Sequence, residues 1–192
     1  MQRCDETSAA DWLTSRATPP TQLATFGPSG FEAYARLRFV PDPEFADQPE
    51  GDIQLPSAHP SDVESARRAL THLARFTDTP DECYFCVWDG YSTPEDQTSL
   101  EGAPTVAIPH RRYALFTGPL DDIRHWEETG TIGSSFPPAF VWPADRRWCF
   151  TSDVDPHWAG IAAERAAIET LIAATDIDAV RADPGVRPAS FA

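Results

Sequence analysis

Residues Cys83–Tyr91, CYFCVWDGY, set two thiols three positions apart and follow them with Trp88, Asp89 and Tyr91. Thiols at that spacing clasp a metal ion or cycle through a disulfide when a turn or a helix N-terminus brings both sulfurs to one side. This stretch is aromatic and β-rich instead, and a strand sends Cys83, Phe85 and Val87 to one face and Tyr84, Cys86 and Trp88 to the other. With both faces apolar and no second CxxC to complete a ligand set, the expectation is a central strand carrying core thiols, with no metal and no cofactor. Asp89, at the strand's end between two aromatic rings, is a candidate to hold a cationic or hydroxyl-bearing ligand, or else to cap the Asp89-Gly90 turn.

A second string, SDVDPHW, carries the other candidates. Asp153 and Asp155 share a strand face with Thr151 and precede His157, a grouping suited to a divalent cation or to acid–base work. Asp155-Pro156 is also a cap followed by a first-turn proline, which predicts a helix over 157–174 that buries Trp158, Ile161, Ile168, Leu171 and Ile172. The phosphate-cradling GxxxxGK, the GxSxG elbow and the HExxH pair are absent from the sequence. The doublets Arg67-Arg68, Arg111-Arg112 and Arg146-Arg147 would make an anion site if the two hairpin turns that carry the latter pairs lay together.

The elements that must position these residues follow from periodicity. A short helix is expected over 8–15, with Trp12 and Leu13 inward. FEAYARLRF alternates strictly, so Phe31, Ala33, Ala35, Leu37 and Phe39 line one face of a half-buried strand. Residues 41–60 mix five prolines with Asp42, Glu44, Asp47, Glu50 and Asp52, which predicts an acidic surface loop. Ser61 and Glu64 form a capping box for a helix burying Val63, Ala66, Leu70 and Leu73. TVAI with YALF, and AFVW with RWCF, read as hairpins, with a short helix from Gly118 to Trp126 between them. Strands that follow hairpins give an α+β class: a mainly antiparallel sheet with two longer helices packed on it, in a single domain with a frayed tail from about Asp183.

All 15 basic residues are arginines against 30 acids, a formal charge of -15. Such a surface repels phosphate backbones and anionic headgroups, so nucleic acid and membrane are not expected partners, whereas a basic protein is. No apolar run reaches signal-peptide or membrane-span length, which places the expected location in the cytoplasm and keeps the four cysteines reduced.

The blocks GFEAYARL, WDGY, RRYALFTGPL and WPADRRWC, followed by DVD, resemble a family of uncharacterised actinobacterial proteins, a kinship that brings no activity with it. More loosely, a small, acidic, tryptophan-rich α+β chain is similar to the immunity proteins of bacterial toxin systems, the SUKH type among them. The expected function is therefore non-enzymatic binding of a basic protein, immunity-like in form. The alternative is a small-molecule-binding or hydrolase-like protein with a pocket at the strand ends, using Trp88, Asp89, Tyr91, Asp153, Asp155 and His157.

Overall fold

The protein is described from a computed structural model, in which residues 1–15, 17–91, 104–128, 135–152 and 157–191 are placed. Nine strands form one sheet among these residues: β1 Gln2–Arg3, β2 Ala33–Arg38, β3 Cys83–Trp88, β4 Val106–Ile108, β5 Arg111–Gly118, β6 Phe140–Pro143, β7 Trp148–Thr151, β8 Trp158–Ala163 and β9 Ala179–Ala182. Their order is β1-β5-β3-β6-β7-β8-β2-β9, with β4 also on β5, and each pairing is antiparallel. The α+β class expected from the hairpin-rich pattern is the one observed.

Helices cover both faces. On one lie α3 (Asp62–Leu73), α4 (Arg165–Ala173) and a 3-10 segment Leu120–Glu128; on the other lie α1 (Asp11–Ser15) and α2 (Pro20–Phe26). The alternation of β2 is what seats it there: Ala33, Ala35 and Leu37 sink into the α3/α4 core, while Tyr34, Arg36 and Arg38 stand on the other face. Helix α3 starts as its capping box requires, with Ser61 Oγ accepting a hydrogen bond from Glu64 N at 3.1 Å. Its Glu64–Arg68 pair also forms, at 2.7 Å. The cysteines separate as a strand demands: Cys83, Phe85 and Val87 enter one core and Cys86 the other. Burial pushes the Cys83 and Cys149 thiols up to about 12, and Cys86 well above its ordinary value.

The chain departs from expectation after Pro156. Residues Trp158–Ala163 are not helical; they are strand β8, paired with β7 on one side and β2 on the other. Every residue of this run is buried, so the two-faced apolar pattern that imitates a helix belongs to an interior strand. Alanine's helix propensity, a fraction of a kcal/mol per residue, loses to two ladders of backbone hydrogen bonds. Helix α4 begins only at Arg165, capped by Glu164 without a side-chain bond, so Asp155 does not cap it. Sequence reading also passed over α2, β1 and β9.

Candidate functional site

The sheet register gathers several strand ends on one rim. Cys86 faces Phe140, Phe140 faces Thr151, Thr151 faces Gly160, and Gly160 faces Arg36, so the ends of β3, β7 and β2 and the starts of β6 and β8 point the same way. Of the expected strand-end candidates, Trp88, Asp89 and His157 lie on this rim. The two groups stand apart, because β3 and β8 are separated by three strand steps, about 14 Å at the usual spacing. At the β3 end, the Arg111 guanidinium sits 4.7 Å above the Trp88 ring and Asp89 Oδ2 meets Arg112 Nη2 at 3.0 Å. Tyr91 closes the 3-10 turn Asp89–Tyr91. Asp153 and Asp155 lie outside the described residues.

The arginine doublets serve separate local contacts. The β4–β5 turn adjoins the end of β3 and the β6–β7 turn adjoins its start, so Arg111-Arg112 and Arg146-Arg147 stand at opposite ends of the sheet. No shared anion site forms between those turns, and Arg146 instead lies over Trp12 at 5.7 Å.

His157, at the start of β8, joins a network that sequence reading did not foresee. Arg36 forks onto Asp42, with Nη1 donating to Oδ1 at 2.5 Å and Nη2 to Oδ2 at 2.8 Å, and Arg38 Nη1 adds a third bond at 3.1 Å. Arg38 reaches on to Asp178 at 2.7 Å, tying β2 to the turn before β9. The Arg36 hydrogen bonds hold the Asp42 carboxyl at about 2, far below its ordinary 3.8. A carboxylate so satisfied is an anchor and a poor base. The His157 side chain is only 6% exposed, and its Nε2 stands 3.6 Å from Asp42 Oδ1, beyond hydrogen-bond length and with no hydrogen-bond partner among the described residues. Burial outweighs the nearby carboxylate and lowers the histidine's pKa, so the ring is neutral at pH 7. The signal that could have revealed this cluster was Arg36 and Arg38 on the outer face of a strand that ends just before Asp42.

Beside His157 a cleft of about 710 Å3 opens between α2, the start of β8 and the segment 184–191. Phe26 and Trp158 form one wall, their rings 5.0 Å apart, and Phe191 stands edge-on to the His157 ring at 4.5 Å. Glu50 and Arg187 supply opposite charges along its lining.

The loop 41–60 begins at the Asp42 network and returns to the cleft at Glu50. Asp42 is engaged as described, but Glu44, Asp47, Glu50 and Asp52 are exposed. The loop carries two of the exposed large apolar side chains, Phe45 at 59% and Leu55 at 40%. It is nonetheless held: Gln48 is buried and accepts from Glu44 N at 2.7 Å, and His59 Nε2 lies 2.6 Å from Phe39 O.

No protein-family model matches the chain, and neither a curated protein nor a solved structure matches it. Among the described residues no group of three or more His, Cys, Asp or Glu could hold a metal ion, and no helix is long and apolar enough to cross a membrane.

Proposed function

We propose that this is a binding protein whose loop 41–60 docks onto a basic protein partner, in the manner of an immunity protein neutralising a toxin. The observation that carries the reading is the pairing of two exposed apolar side chains, Phe45 and Leu55, with four exposed carboxylates on a loop anchored at both ends. Apolar anchors within a charged rim are what interface hot spots use. Anchoring lowers the ordering cost that a free loop of this length would meet on binding. The charge of -15 adds long-range attraction for a cationic surface.

The test begins with capture of a partner from the source cell's lysate by the intact protein, followed by association kinetics at two salt concentrations. Glu44→Gln, Asp47→Asn and Asp52→Asn together should slow association by about tenfold at low salt and flatten its salt dependence. Phe45→Ala should leave association unchanged and speed dissociation. Equal, salt-insensitive association for wild type and the triple variant would refute the role of the loop.

A further inference from the structure

We propose that the cleft between α2, β8 and the segment 184–191 binds a small zwitterion with an apolar body, of the class of aromatic amino acids and short peptides. This site shares Glu50 with the docking loop, whose Glu44, Asp47 and Asp52 do not line it. At about 710 Å3 the cleft falls within the range that holds small ligands, whereas two other clefts measure about 190 and 330 Å3.

Its chemistry is two-part. Phe191, half-buried, offers ring surface for an apolar body, and the buried Phe26 and Trp158 side chains line the cleft beside it. Glu50 and Arg187 offer one charge of each sign, and neither side chain makes a hydrogen bond or ion pair among the described residues. Gln22, from α2, adds an amide able to donate and accept. An ammonium facing Glu50 and a carboxylate facing Arg187 complete both groups at once. A ligand with no net charge also escapes the repulsion that an overall charge of -15 exerts on anions.

Three probes separate the parts: L-phenylalanine, N-acetyl-L-phenylalanine, which lacks the cation, and L-phenylalanine methyl ester, which lacks the anion. The readout is the indole N–H signal of Trp158 in a 15N-labelled full chain, assigned by its loss in Trp158→Phe. L-Phenylalanine should shift this signal saturably, and each blocked probe should bind about five- to tenfold more weakly. Glu50→Gln should weaken L-phenylalanine and the ester while sparing the N-acetyl form. Arg187→Gln should weaken L-phenylalanine and the N-acetyl form while sparing the ester. Both positions are exposed, so an unchanged Tm in each variant verifies that folding is intact. The proposal is overturned by the absence of a saturable shift up to millimolar probe, by equal affinity for all three probes, or by variants that change none of them.

Discussion

Asp42 shows how one side chain binds distant parts of the chain together. It accepts three guanidinium hydrogen bonds at the end of β2, faces the His157 ring and, through Arg38, connects to Asp178. Asp42→Asn leaves Arg36, whose side chain is 11% exposed, without its counter-charge, and should cost about 2–3 kcal/mol by urea unfolding at pH 7. Asp178→Asn, at a site 45% exposed, should cost under about 1 kcal/mol. The pH dependence has two windows of known sign. His157 has a lowered pKa in the fold, so below its ordinary 6.5 the unfolded chain takes up the proton first and stability falls as the solution is acidified. Among the described residues the charged groups acting on it are Asp42, Glu50 and Arg36. Asp42, held at about 2 against an ordinary 3.8, contributes about 2 kcal/mol above the upper value, and this is lost as pH falls from 3.8 through 2. Unfolding free energies between pH 7 and 2 should show both losses in wild type, a diminished upper loss in His157→Gln and a diminished lower loss in Asp42→Asn.

At the scale of elements, the decisive position is Gly160 in β8. A Cβ built there would lie 2.0 Å from Thr25 O and 2.8 Å from Phe26 Cα, so α2 rests directly on the strand's backbone. Gly160→Ala should destabilise by about 2–3 kcal/mol by lifting α2, whereas Gly51→Ala, with nothing within 4 Å of the added methyl, should change stability by under about 0.5 kcal/mol. Denaturant midpoints of the two variants check this, and equal midpoints would contradict the close crossing. The same glycine marks the limit of what periodicity reveals. Strand β2 was legible because one of its faces is covered more deeply than the other and its residues alternate. Helix α3 was legible from its cap and its apolar stripe. Strand β8 is buried on both faces, so its apolar run has no period to distinguish it from the start of α4. Only pairing with β7 and β2 decides its conformation, and that information is tertiary. The candidate site divides similarly: His157 stood out by residue type, but its neighbour Asp42 belongs to a loop far away in sequence, brought near because β2 pairs with β8.

The topology of the whole molecule places its latest long strand near the middle of the sheet. β8 joins the ladder β1-β5-β3-β6-β7 to the pair β2-β9, so the two sections of the sheet touch through it. A fragment ending at Ser152 would leave β7 with an open edge and β2 without any partner strand, and the buried Ala35, Leu37, Trp148 and Phe150 would lose part of their cover. That fragment should unfold without a sigmoidal transition in urea. A chain ending at Asp183 retains every strand pair and both helical layers, losing only the segment that closes the cleft and the Phe191 ring against His157. Partial exposure of Trp158 and His157 should then cost about 1–2 kcal/mol, with a cooperative transition and little change in its slope. Circular dichroism across a urea series distinguishes the two outcomes. A cooperative transition in the shorter fragment would show that the sheet's first section folds without β8, and a collapse of cooperativity in the longer one would assign the segment 184–191 to the core instead of to the cleft.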